Sequence, residues 1–334
     1  VSRIVLKLSH KKAKPTRGAL EEVLEIPAGG ASPRGSTYYK TFQHCPREFY
    51  IRYVLGWVPT VPSEALTTGL VWHYCLERYY RGIMSHQQKT RVQPTSAAWL
   101  WGGCNQGAAE AYALIDKLMA APGYHEIAQT VRRMLDAYLD VYDRQDKLRV
   151  LAVEETLEWH GTDPYTCRAD MIVEDYIRGG MWFWEHKSAR AITDDLLAAY
   201  DMDLQILGEW WLLDRVVDRT VYPPLRGVVI NLATKAKEPK LHRHDVCPSP
   251  AHVRAFERTI GTRKVMLQAA AKCGWPQWFG NCSGAARGYS RCAYYELCQQ
   301  NPQHDAAGLA REGVASFPEY AQANGDSDYD RYSS

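Results

Sequence analysis

No apolar run in the 334-residue chain approaches the roughly 20 residues needed to span a bilayer, so a membrane is not an expected partner. Val1 to Leu8 is broken by Arg3 and Lys7 and lacks the apolar stretch of a secretion signal, so export is not expected. No Gly-x-x-x-x-Gly-Lys-Ser/Thr loop occurs, so any nucleotide-driven movement would have to come from a partner. The nine cysteines are odd in number and include no Cys-x-x-Cys pair. In a chain not expected to be exported, that argues against a disulfide framework. Neither sign of charge is in excess: 40 Lys and Arg face 38 Asp and Glu. A wholly basic surface is therefore excluded, and only a local basic groove is left open. What the chain has in quantity is Trp and Tyr, 11 and 21 residues, suited to core, groove wall or stacking on bases.

The most informative stretch runs from Tyr165 to Ser188. Two apolar, β-branched or aromatic arms flank Ile177-Arg178-Gly179-Gly180, which predicts a β-hairpin. Asp170 lies in the first arm, and Glu185 and Lys187 close the second. Residues two apart on a strand share a face, so Glu185 and Lys187 point one way and His186 the other. Two carboxylates suit a hard cation such as Mg²⁺, and an ammonium beside them suits charge on a phosphoryl group. Salt-bridged charges at a strand edge are the plain alternative.

Upstream, Ser36 is placed as an N-cap, with a helix from Thr37 to Tyr53 broken at Cys45-Pro46. A second helix carries Leu66, Leu70, His73, Glu77 and Tyr80 on one face, so His73 is either a packed side chain or a ligand. Residues 84–147 read as inserted helices. Leu151 to Trp159 alternates like a strand, with Glu154 and Glu155 on opposite sides as ligand or solvent-edge charges. Asp194 to Trp211 reads as one amphipathic helix containing Gln205. Leu225 to Ala233 is strongly β-like, and a basic loop from Lys235 to His244 follows it, solvated or tracking phosphates. Pro250 to Lys272 reads as another helix. Cys75, Cys104, Cys167 and Cys247 read as small buried hydrophobes or incidental thiols. Cys45, Cys282, Cys292 and Cys298 stand apart, and four thiolates suit either an iron–sulfur cluster or tetrahedral Zn²⁺.

Taken in order, these features resemble the PD-(D/E)XK nuclease superfamily, and within it the RecB-like branch. That branch includes the iron–sulfur exonucleases of CRISPR adaptation and the nuclease subunits of helicase–nucleases. The likeness rests on Ser36 with Phe42-x-x-Cys45-Pro46-Arg47-x-Phe49-Tyr50, Gly69-x-x-x-His73, Asp170, Glu185-x-Lys187, Gln205 and the final cysteines, and it spans Ser36 to Cys298. It implies an α/β fold, a small mixed central sheet flanked by helices. It implies a metal site of His73, Asp170 and Glu185, aided by the His186 backbone carbonyl and by Glu154, for Mg²⁺ or Mn²⁺. Lys187 and Gln205 complete the catalytic set. It implies a [4Fe–4S] cluster on Cys45, Cys282, Cys292 and Cys298, with Zn²⁺ as the alternative. The gap from Cys282 to Cys292 is longer than the usual spacing, and Cys273 is the spare thiol. Glu209 stands where the branch has Tyr in its Gln-x-x-x-Tyr motif, and Tyr200 is the substitute aromatic.

The expected organisation is a basic flexible arm over 1–35, one nuclease domain over 36–300 and a polar, acidic, disordered tail over 301–334. Within the domain, 84–147 is a helical insertion, and 273–298 is a cysteine segment packed on the N-terminal helix. The expected activity is metal-dependent DNA cleavage, foremost an exonuclease on single strands or ends in recombination, repair or phage DNA processing. A helicase or recombination partner is expected beside it, in the cytoplasm of a bacterium or phage-infected cell. Two rivals remain: a catalytically silent DNA-binding or assembly module with the same fold, and a zinc-stabilised interaction protein.

Overall fold

A computed structural model describes residues 34–322, except 62, 91–95, 162–163, 283–290, 301–308, 310–312 and 318. The expected basic arm up to residue 33 and the last residues of the tail, 323–334, lie outside the described residues.

The organising element is a mixed five-stranded sheet in the order β2-β3-β4-β5-β6. Its strands are β2 (Leu148–Trp159), β3 (Tyr165–Asp175), β4 (Met181–Ala189), β5 (Leu225–Thr234) and β6 (Leu241–Val246). β4 and β5 run parallel, and the other three pairs are antiparallel. The predicted hairpin is β3–β4. Gly179 and Gly180 make its turn at φ +75° and +82°, a region that costs a residue with a Cβ. β5 is buried without a break from Gly227 to Thr234, as a central strand covered on both faces must be. Alternation then sorts its side chains: Val229 and Ala233 join one core, and Val228, Ile230 and Leu232 the other.

On the first face pack α3 (Glu64–Lys89), α5 (Cys104–Ala120) and α6 (His125–Tyr142), with short α4 (Ala97–Trp101) between. Trp182 and Trp184 of β4 point into this layer, whereas Met181 and Phe183 point to the opposite one. Full burial of a side chain such as Phe183 is worth about 2–3 kcal/mol. Gly82 of α3 faces Gly107 of α5 so closely that a Cβ on Gly82 would stand 2.7 Å from the Gly107 Cα.

The opposite face carries α7 (Asp194–Asp201) and α8 (Leu204–Val216). The single helix expected over Asp194 to Trp211 is thus two. Met202 leaves helical geometry, and the extended Asp203 caps α8, its Oδ1 accepting from the Gln205 and Ile206 N–H groups.

A third core joins α1 (Ser36–His44), α2 (Pro46–Phe49), α8 and α9 (Pro250–Lys272) to the C-terminal segment. Gly35, not Ser36, occupies the N-cap of α1, and no side chain caps it. Cys45 is extended at φ −164°, the break that Pro46 imposes on the residue before it. After α2 the chain passes through a π-helical turn, Tyr50–Val54, to β1 (Trp57–Pro59). β1 pairs with β7 (Tyr320–Gln322), so ordered structure occurs inside the stretch expected to be a disordered tail. Buried Leu309 and Tyr320, together with Phe317, give that stretch an apolar anchor. The basic run after β5 also differs from expectation. The loop ends at Lys240, and His242, Arg243 and His244 lie on β6. Arg243 packs inward on Asp146 at 2.8 Å and over the rings of Tyr142 and Trp184, which removes it from any phosphate track. Among the described residues no helix is long and apolar enough to cross a membrane.

Candidate active site

The site forms where β3 and β4 part. Their ladder runs only from Met171↔Trp184 to Glu174↔Met181. Beyond it the Asp170 carboxylate takes over as acceptor: its Oδ2 receives the His186 backbone N–H at 2.7 Å. The same oxygen lies 3.2 Å from His73 Nδ1, delivered by α3. Glu154 arrives from β2 on a residue with φ +53°, in the left-handed region, beside a register shift between Val150 and Ala152. Non-glycine residues rarely adopt this geometry, and such strain concentrates at functional sites. One donor atom from each of His73, Glu154 and Asp170 lies within 4.8 Å of the other two. Of the two adjacent glutamates it is therefore Glu154 that joins the donor group, and its Oε2 also meets Arg168 at 2.7 Å.

Glu185 and Lys187 lie beside this group, on the face that looks toward α8. Lys187 Nζ donates to Glu185 Oε1 and, at 3.1 Å, to Gln205 Oε1. Gln205 Nε2 donates to Glu185 Oε1 at 2.6 Å and to Glu209 Oε1 at 2.7 Å. Glu185 is 1% exposed, and its Oε2 is buried without a hydrogen-bond partner. Lys40 of α1 grips the Asp203 cap at 2.8 Å, which fixes the start of α8 and so the height of Gln205. Tyr200 lies in the field of Lys187 and Asp203.

His186 divides its two ends. Its backbone faces Asp170, while its imidazole turns to the other side of the sheet, as the strand alternation requires. There it lies 3.0 Å from Asn231 Nδ2 and stacks on Tyr80, with Tyr138 also bonded to Asn231. Burial lowers its pKa to about 3, so the ring is neutral packing rather than a charged site group. Neither Asn231 nor Tyr138 stands out in the sequence: Asn231 sits inside an otherwise apolar run, and Tyr138 is one of two tyrosines on an amphipathic helix. The Asp203 cap was legible as an Asp two residues before Gln205, a common helix-start signal.

The charges are strongly interdependent. Burial opposes ionisation of Asp170, but His73 outweighs it and holds the carboxyl below its ordinary range. Burial likewise disfavours the His73 cation, and the Asp170 charge overrides it, raising the imidazole. Burial and the Asp170 charge push Glu154 up to about 8 and Glu185 up to about 7. Burial would neutralise Lys187, but Glu185 and Glu209 hold it cationic above its usual range. This donor set fits a divalent ion: several carboxylate oxygens, one imidazole, and a buried carboxylate oxygen still lacking a partner.

Of the four singled-out cysteines, Cys292 and Cys298 pack against the third core. Cys45 is buried at the α1–α2 break; Cys282, Cys292 and Cys298 are half-buried, and none of the four forms a disulfide. Asn281 donates to the His44 carbonyl, Trp275 stacks on Phe49 at 5.5 Å between centroids, and Tyr294 donates to the Trp57 carbonyl at 2.7 Å. Burial pushes the Cys298 thiol up to about 11, with Arg47, Cys45 and Cys282 as its electrostatic neighbours. Cys75 and Cys104 are buried in the layer of α3 and α5, Cys167 is buried in the third core, and Cys247 and Cys273 are exposed.

The family model of the PD-(D/E)XK nuclease superfamily matches residues 36–299, nearly the span over which the motifs run, and the chain belongs to that superfamily. Its members are nucleases that use divalent metals. No curated protein matches the sequence. Among solved structures, a candidate exonuclease from Eubacterium rectale is 12% identical with a TM-score of 0.36, covering 90% of this chain and 94% of its own. A structure named SSO0001 is 14% identical with a TM-score of 0.25, covering 57% of this chain and 84% of its own. Likeness at this level carries no argument about activity.

Proposed function

We propose that the protein is a divalent-metal-dependent deoxyribonuclease of the RecB-like kind, acting as an exonuclease on single strands or DNA ends. The observation that carries this reading is the meeting of the His73, Glu154 and Asp170 donors within 4.8 Å, beside the Glu185–Lys187 pair. His73, Asp170 and Glu185 would hold Mg²⁺ or Mn²⁺, with Glu154 and the His186 carbonyl assisting. A divalent ion here supplies Lewis-acid polarisation of a phosphoryl oxygen and acidification of water. Lys187, held cationic, is a donor rather than a base. It orients the attacking water and stabilises negative charge on the phosphoryl group. Gln205 fixes the ammonium through its side-chain oxygen. The preference for ends and single strands rests on the RecB-like motif order, and unwinding falls to a helicase or recombination partner.

Cys45, Cys282, Cys292 and Cys298 would hold a [4Fe–4S] cluster that ties the N-terminal helices to the C-terminal segment. The motif order of the iron–sulfur enzymes favours the cluster, and the lack of tight Cys-x-x-Cys pairs in the sequence argues against zinc.

The test is anaerobic purification, then incubation with 5′- or 3′-labelled single- and double-stranded DNA in Mg²⁺, Mn²⁺ or EDTA. Metal-dependent shortening from one labelled end, and a brown protein absorbing near 400 nm, are expected. Tight DNA binding without cleavage in any metal would replace the proposal with a silent assembly module. A colourless protein with stoichiometric zinc would replace the cluster.

A further inference from the structure

We propose that Glu209 is a positioning residue of the nuclease site: it locks the Gln205 side-chain amide so that its oxygen can face only Lys187. The inference rests on the reading of Lys187 as the working cation.

Gln205 and Glu209 are four residues apart on α8 and therefore share a face. A primary amide offers two N–H donors on one atom and one acceptor oxygen. Here Nε2 donates to Glu185 Oε1 at 2.6 Å and Glu209 Oε1 at 2.7 Å, and Oε1 accepts from Lys187 at 3.1 Å. Ammonium cannot accept, and each of these carboxyl oxygens accepts, so the three neighbours together permit one amide orientation. With Glu209 gone, one N–H loses its partner. The amide can then turn over or swing aside, and Lys187 keeps only Glu185, which a bound cation would draw away.

The position itself argues against a merely structural role. Glu209 is 2% exposed and its Oε2 has no hydrogen-bond partner. Its helical neighbours Ile206, Leu207, Leu212 and Leu213 are buried and apolar. Burying a carboxyl there is costly relative to an apolar side chain of the same volume. Glu209 also reaches Lys187 and Glu185 only through the Gln205 amide, not through a hydrogen bond of its own to either among the described residues. Its Oε1 accepts from the Gln205 amide.

The experiment compares wild type with Glu209→Met, Glu209→Leu and Glu209→Gln, in steady-state cleavage of a labelled single-stranded oligonucleotide with Mn²⁺ and in crystal structures. The Met and Leu variants remove the acceptor, and either serves if the other fails to fold. Their kcat is expected to fall about 10- to 100-fold, the cost of misplacing a catalytic group by about 1 Å, with KM and Mn²⁺ affinity within twofold. Glu209→Gln retains an acceptor oxygen and is expected to recover at least tenfold of that loss. In the Met or Leu crystal structure, the Gln205 amide is expected to be turned and the Lys187 Nζ displaced. Unchanged kcat, or equal loss in the Gln and Met variants, would overturn the proposal. A wild-type protein that cleaves nothing would remove the nuclease reading alone. The position of Lys187 in the Glu209→Met crystal would then still decide the role of Glu209: displacement upholds it and an unmoved ammonium overturns it.

Discussion

Replacing Glu154 by Gln should stabilise the metal-free protein at pH 8 while weakening its metal site. Folding takes this carboxyl from an ordinary 4.5 to about 8, chiefly through burial and then the Asp170 charge. Between those values the folded state binds more protons than the unfolded one, so stability falls as pH rises through the window. Glu185, raised to about 7, adds in the same direction, and so does His73, whose raised pKa gives stability that is lost on deprotonation. At pH 7 this shift costs about 3 kcal/mol of stability, from about 1.4 kcal/mol for each pH unit above 4.5. Its pair with Arg168 offsets little, since Arg168 is half exposed. Differential scanning fluorimetry of metal-free protein should show Tm falling from pH 5.5 to 8. Glu154→Gln should lead wild type only slightly at pH 5.5, and its lead should grow to roughly 5 °C at pH 8. Mn²⁺ should raise the wild-type Tm more at pH 8 than at 5.5, because the ion binds the deprotonated carboxylates, and should raise the variant less. A wild-type Tm that is flat or rises with pH, or a variant less stable than wild type at pH 8, would refute the reasoning.

Two further perturbations probe the scaffold. Arg243→Met strands the half-buried Asp146 carboxylate and should lower the unfolding free energy by about 3–5 kcal/mol in urea titration, most of it recovered by adding Asp146→Leu. Gly107→Ala places a Cβ 2.3 Å from the Tyr79 carbonyl oxygen and should cost about 1–3 kcal/mol by forcing α3 and α5 apart, seen as a lower Tm with the cleavage site intact.

The hairpin, the Cys45-Pro46 break and the central strand Leu225–Thr234 were legible because each is a local rule: alternation, a turn dipeptide, a restricted residue before proline. The positions of Asp170, Glu185 and Lys187 follow from that hairpin. Other features depend on contacts between distant elements. Glu154 joins the donors through an unusual φ that alternation cannot foresee. Arg243 looked like a loop cation until β6 carried it onto Asp146. Leu309 and Tyr320 lie in a polar, acidic stretch, and only the third core and the pairing of β7 with β1 show what they pack against. The split at Met202 was readable in principle: Asp203 is a good cap, but the amphipathic pattern running through it masked the break.

The central claim is that the Glu185–Lys187 pair beside the His73–Glu154–Asp170 donors is a working nuclease site. The most direct test is Lys187→Met, assayed for cleavage of end-labelled DNA in Mn²⁺ and for Mn²⁺ affinity by calorimetry. The account predicts a rate lower by about 10²- to 10³-fold with metal binding within a few-fold of wild type, because the ammonium acts on the phosphoryl group and not on the ion. Cleavage undiminished in Lys187→Met would contradict it.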